Sequence, residues 1–110
     1  IMKNLVDEKI LDLANGWIIA NDKVIIATVV KTWGSSPRPI GSRMIINQKG
    51  SFYGSVSGGC IETSIIKESI NLFSDKKSFI KLDFNVTNDS AWDIGLSCGG
   101  EISVFLEKIE

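Results

Sequence analysis

Three short stretches hold most of the residues that could do chemistry in this 110-residue chain. The first, GSSPRPIGSRM from Gly34 to Met44, contains both prolines and both arginines, while every lysine lies elsewhere. Arg38 and Arg43 offer planar guanidinium forks that match phosphate or carboxylate oxygens two at a time. Ser35, Ser36 and Ser42 add hydroxyls, and Gly41 lets the backbone come close to a ligand. Pro37 and Pro39 fix φ and hold Ser36 and Arg38 extended. A loop stiffened in this way gives up less entropy when it closes on an anion. The competing reading of the loop, taken alone, is a surface turn whose arginines pair with carboxylates.

The second stretch, GSVSGGCIE from Gly54 to Glu62, runs into a helical pattern. Free N–H groups at a helix start make an anion site, and Ser57, Gly58 and Gly59 would supply its approach. It is neither a Walker loop nor GxGxxG. Cys60 falls in the expected first turn, where the helix dipole favours thiolate; the alternative is a small buried hydrophobe. Glu62 suits a capping-box partner reaching back to a free N–H, or a chemical role.

The third stretch is GLSCGG, Gly95 to Gly100, with Cys98 before Gly99 and Gly100. There is no CxxC, and two thiols without histidine make a poor zinc site. Cys98 is open between a thiol beside a bound cofactor and an ordinary buried cysteine. The chain contains no histidine at all, which removes Ser-His-Asp and Cys-His pairs and any imidazole base. Acid–base work would fall to carboxylates, thiols or a cofactor.

The elements that must position these stretches follow from patterning. Val6, Ile10, Leu13 and Trp17 lie at helical spacing after a candidate N-cap, Asn4, and Gly16 weakens the last turn. KVIIATVVKTW reads as a buried strand. RMIINQKGSFYGSV reads as a β-hairpin around NQKG. Ile61, Ile65, Ile66, Ile70 and Phe73 define one side of a second helix, opposite Lys67, Glu68 and Asn71. KSFIKLDFNV and EISVFLE supply two more strands. The fold class is therefore α/β (α+β): one domain over residues 1–110, a mixed sheet of about five strands and two covering helices.

With a formal net charge of −1, the chain has no electrostatic pull toward nucleic acid or an anionic membrane. No apolar run reaches the roughly 20 residues of a membrane span. Two cysteines are too few for a disulfide scaffold, and the expected setting is the cytoplasm with reduced thiols.

Taken together and in order, the blocks Gly34–Met44, Gly54–Glu62 and Gly95–Gly100 resemble the signature blocks of the XdhC/CoxI family. That resemblance runs from the first helix to VFLE. It implies a chaperone that binds molybdenum cofactor, of molybdopterin type or its dinucleotide form. Such a chaperone shelters the cofactor while a cysteine desulfurase supplies its sulfido ligand. It then delivers the cofactor to an apo-molybdenum hydroxylase such as xanthine dehydrogenase or CO dehydrogenase. The implied cofactor-binding residues are Ser35, Ser36, Arg38, Gly41, Ser42, Arg43, Ser57, Gly58, Gly59, Cys60, Glu62, Cys98, Gly99 and Gly100. Cys60 would be the contact to molybdenum, since thiolate suits a soft metal centre, and Trp33 would stack on the pterin or sit in the core.

Many members carry a second, Rossmann-like domain, which these 110 residues do not include. Two other functions compete: a thiol enzyme or sulfur carrier that uses Cys60 with Cys98 as resolving thiol, and an assembly domain without ligand. Of these, the non-enzymatic chaperone accounts for most of the motifs. A homo-oligomer, a dimer in the first instance, is expected, because exposed apolar surface invites self-association.

Overall fold

A computed structural model of the chain describes residues 2–33, 40–56, 61–85 and 101–109. Helix α1 spans Met2–Ile19 and is followed by strands β1 (Val24–Trp33), β2 (Arg43–Asn47) and β3 (Phe52–Gly54). Then come helix α2 (Glu62–Phe73) and strands β4 (Phe79–Asn85) and β5 (Glu101–Ile109). Among the described residues no helix is long and apolar enough to cross a membrane.

The strands form one sheet in the order β3-β2-β1-β5-β4. Five strands and two helices match the expectation. Every pairing is antiparallel. The reason is topological. Helix α2 carries the chain from β3 at one edge to β4 at the other, and β5 then slots between β4 and β1. The strands that run the same way are thereby kept apart.

Alternation along the central strands divides the core into two layers. Ile25, Ala27 and Val29 of β1, with Met44, Ile46, Ile102, Val104 and Leu106, form the larger cluster under α2. Val24 and Ile26, with Ile45, meet Ile10 and Ala14 of α1 on the opposite face. Each helix thus covers one side of the sheet, and Trp17 packs against the α1 layer.

Two details of helix placement differ from the sequence reading. Helix α1 begins at Met2, so Asn4 lies inside it and is not its cap. It also runs past Gly16 and stops at a left-handed residue, Asn21, with φ 68°. There the Asp22 N–H reaches the Trp17 carbonyl at 2.8 Å and the Asn21 N–H reaches Ile18 at 3.0 Å. These are the two bonds of a Schellman ending, with asparagine in the place glycine commonly takes.

Of the expected stripe of α2, Ile61 and Ile65 are buried and Ile66 and Phe73 pack on the core, while Ile70 is 41% exposed and Glu62, Ser69 and Leu72 are buried as well. Ile66, which also packs on the core, and Ile70 lie near Gly50, in the turn of the β2–β3 hairpin. That hairpin is as expected. Asn47 closes it, accepting the Lys49 and Ser51 N–H groups at 3.0 Å each on its side-chain oxygen.

A β-bulge at Val30 separates the pairs Val29↔Val104 and Lys31↔Ser103. The extra residue shifts the alternation by one, which keeps Lys31 out of the α2 core and puts it on the α1 side of the sheet.

Candidate functional site

The chain enters the first and second glycine-rich stretches from the ends of β1 and β3 and leaves the third into the start of β5, strand ends that all face the same end of the sheet. Trp33, where the first begins, is paired with Glu101, where the third ends, and Glu101 is paired in turn with Asn85, the last residue of β4. The first stretch returns lower on the same strand, four residues back from Trp33: the Gly41 N–H bonds the Val29 carbonyl at 2.8 Å, and the Val29 N–H bonds the Ser42 carbonyl at 2.9 Å. The second stretch leaves from Gly54, which is paired with Met44 one residue into β2. Antiparallel pairing therefore points the end of β1, the start of β2, the end of β3 and the start of β5 the same way, with Arg43 and Gly54 stepped back along the sheet from the tip formed by Trp33 and Glu101.

Glu62 fixes the start of α2 to the second stretch. It is 9% exposed, and one of its carboxylate oxygens accepts both the Ser55 hydroxyl at 2.7 Å and the Val56 N–H at 3.0 Å. Ser55 is itself tied to β2, its N–H bonding the Arg43 carbonyl at 3.2 Å. Glu62 does reach back to a backbone N–H, but that of Val56 before the helix. The N-cap is Ile61, so this is a brace across the loop and not a capping box. Helix α2 opens at Glu62, and Cys60, expected in its first turn, lies outside the described residues.

Of the other expected site residues, Ser42 is buried at the foot of the first loop. Arg43 is half-buried as the first residue of β2 and makes no ion pair with a described carboxylate. It alternates with Met44, which belongs to the α2 layer, so Arg43 lies on the α1 side. Ser35, Ser36, Arg38, Ser57, Gly58, Gly59, Cys60, Cys98, Gly99 and Gly100 lie outside the described residues, as does the side chain of Trp33.

The sequence reading passed over a row of polar residues near the same end. Lys31, Ser103 and Asp83 are in register across β1, β5 and β4, and the Ser103 hydroxyl donates to Asp83 at 2.6 Å. Only cross-strand register could have revealed it. That hydroxyl is the chief reason the Asp83 carboxyl titrates below its ordinary range; burial opposes the effect, and Lys81 and Lys31 add to it.

The folded value lies below the unfolded one, so the stabilisation is present above the ordinary carboxylate range. It is lost as pH falls through the folded value. Replacing Ser103 with alanine is expected to move the Asp83 pKa back upward, as read from the carboxyl carbon shift in an NMR titration. An unchanged titration would mean that the hydroxyl does not hold the charge.

A cleft of about 410 Å³ opens at the other end of the sheet, between the C-terminal ends of α1 and α2, lined by Asn21, Asp22, Lys23, Phe73 and Lys108 among others. None of the residues singled out for chemistry borders it. Among the described residues no cluster of acidic or sulfur side chains is arranged to hold a metal ion.

Residues 17–84 match the model of the XdhC and CoxI family. Over 90 residues the chain is 32% identical to a Bacillus subtilis protein named as a probable xanthine dehydrogenase subunit, an alignment that covers 80% of this chain and 27% of that protein. Over 101 residues it is 30% identical to the molybdenum cofactor insertion chaperone PaoD of Escherichia coli, covering 91% of this chain and 31% of PaoD. A crystal structure described as a xanthine dehydrogenase from Bacillus halodurans superposes with a TM-score of 0.72 at 27% identity, over 90% of this chain and 30% of that one. The chain thus spans 27% and 31% of the length of the two curated relatives.

Proposed function

The chain belongs to the XdhC and CoxI family, and from that membership we propose that it handles molybdenum cofactor during the maturation of a molybdenum hydroxylase. One observation carries this reading: the strand ends that lead into or out of the three glycine-rich stretches all face the same end of the sheet, with the start of α2 tied to the second of them. The name of PaoD, a molybdenum cofactor insertion chaperone, and that of the Bacillus subtilis relative support the same assignment.

In this proposal the cofactor is cargo. Arg38 and the backbone N–H groups before α2 hold its phosphate, or the pyrophosphate of a dinucleotide form. Arg43, free of ion pairs with described carboxylates, reaches it from the α1 side. Ser35, Ser36, Ser42 and Ser57 read the polar edges of the pterin, and Gly41, Gly58, Gly59, Gly99 and Gly100 let backbone approach it. Cys60, next to the positive end of α2, stands beside the molybdenum with Cys98 nearby. The buried Glu62 serves by bracing the second loop. Receipt of sulfur from a cysteine desulfurase, delivery to the apo-hydroxylase and a cytoplasmic setting complete the proposal. The 110 residues act as one cofactor-holding unit.

The test is retention of molybdenum cofactor by the purified chain, read by the fluorescence of the oxidised pterin after dialysis. Arg38→Ala and Cys60→Ala are each expected to weaken retention about tenfold or more, the loss of one charge-assisted contact. If both variants hold the cofactor as well as the parent chain, the site is misplaced. If neither they nor the parent hold any, the cofactor-handling role itself fails.

A further inference from the structure

The outermost strand β4 pairs with β5 along one side only. The Lys108 N–H bonds the Ser78 carbonyl at 2.9 Å, which sets the phase of the ladder. Even-numbered residues of this strand turn their backbone groups toward β5. Phe79, Lys81, Asp83 and Asn85 therefore turn theirs away from the sheet, where no described strand meets them. Such an edge is a template for another strand.

We propose that the edge pairs with the same edge of a second copy of this chain, antiparallel about a two-fold axis through Leu82. The register follows from the hydrogen-bond phase and the charges. Only odd-numbered residues can exchange backbone bonds across the new seam. An axis at residue 81 would set Lys81 against Lys81, and an axis at residue 83 would set Asp83 against Asp83. The axis at Leu82 sets Lys81 opposite Asp83 twice and places no like charges face to face. Opposed charges favour a cross-strand pair and like charges penalise it.

On the other face the same register puts Leu82 beside Leu82, and Ile80 beside Phe84. Ile80, Leu82 and Phe84 already pack on the α2 layer, so the apolar layer would continue across the seam. On the charged side Phe79 is 59% exposed and stacks on Phe105 at 5.3 Å, which gives the seam an apolar shoulder. The product is a continuous ten-stranded sheet. Because the two copies of β4 run in opposite directions, the two loop ends lie at opposite ends of the dimer, and each can hold its own cargo.

Sedimentation velocity of the purified chain across a concentration series tests this. The parent chain is expected to show a concentration-dependent dimer. Lys81→Glu and Asp83→Lys are each expected to raise the dimer dissociation constant about tenfold or more. The charge swap Lys81→Asp with Asp83→Lys is expected to restore it.

As an independent check in a Cys60→Ser, Cys98→Ser background, Leu82→Cys should cross-link two chains under oxidation. Lys81→Cys and Asp83→Cys should not. A strictly monomeric parent chain, a dimer indifferent to the charge variants, or amides of Phe79, Lys81, Asp83 and Asn85 already protected from exchange in the monomer would overturn the proposal. None of these outcomes bears on cofactor retention.

Discussion

Gly54→Ala is expected to cost about 3 kcal/mol of folding stability, roughly 10–20 °C in Tm for a domain of this size. Two effects combine. Gly54 has a φ of 95°, a conformation that costs a residue with a side chain about 1 kcal/mol or more. A β-carbon there would also lie 2.5 Å from the Arg43 carbonyl oxygen, 3.0 Å from the Met44 Cα and 3.2 Å from Ile10. The first two are backbone atoms of the paired strand and cannot move aside without opening the β2–β3 ladder, so the clash adds about 1–3 kcal/mol.

Gly50 separates the two effects. Its φ of 84° is similar, but the nearest atom to its would-be β-carbon is 3.8 Å away. Gly50→Ala should therefore show the conformational cost alone, about 1 kcal/mol. Urea titrations of the two variants side by side decide the matter: equal costs would mean that the close approach at Gly54 is not part of the native fold. Since Gly54 sits where the second loop leaves the sheet, its loss should also weaken cofactor retention at temperatures where the variant remains folded.

How much of this could be read from residues alone depends on whether the signal is local. The hairpin around NQKG was legible because Asn and Gly carry its turn chemistry in four residues. The two helices were legible from apolar spacing, but not their ends or all of their buried positions. Asn21 takes the left-handed position with its own N–H bonding Ile18 and that of Asp22 bonding Trp17, and nothing in an asparagine announces that it, and not Gly16, will end a helix. Ser69 is buried and Ile70 is exposed, the reverse of what their polarity alone suggests.

Strand neighbours were the least legible. The sequence does not say that β5 inserts between β1 and β4, and that insertion makes the sheet antiparallel and aligns Lys31, Ser103 and Asp83. The candidate site shows the same division. Its residue types and loop chemistry stood out in the sequence. The sharing of one sheet end follows from strand order, and the placement of Arg43 on the α1 side follows from alternation with Met44.

Glu62→Ala is expected to cost about 2–4 kcal/mol, and the pattern of its weaker variants tells a structural role from a chemical one. The carboxylate is buried and takes hydrogen bonds from both Ser55 and Val56, contacts to a charged group that contribute about 1.5–3 kcal/mol each when intact. Truncation leaves the buried Val56 N–H to find water or go unpaired, while the loop between β3 and α2 loses its tie to the helix. Glu62→Gln keeps an acceptor oxygen and should cost about half as much. Ser55→Ala removes one donor and should cost about 1 kcal/mol.

The residues touch directly, so the double variant Ser55→Ala, Glu62→Ala should be less destabilised than the sum of its parts by about 0.5 kcal/mol or more. Strict additivity in thermal or urea unfolding would mean that the hydroxyl–carboxylate bond is not formed in solution. If Glu62 works as a brace, cofactor retention should fall in step with stability across the series, and Glu62→Gln should retain cofactor nearly as well as Ser55→Ala. If Glu62→Gln unfolds like Ser55→Ala yet loses the cofactor, the carboxylate touches the cargo itself. The loop brace would then be the lesser of its two tasks.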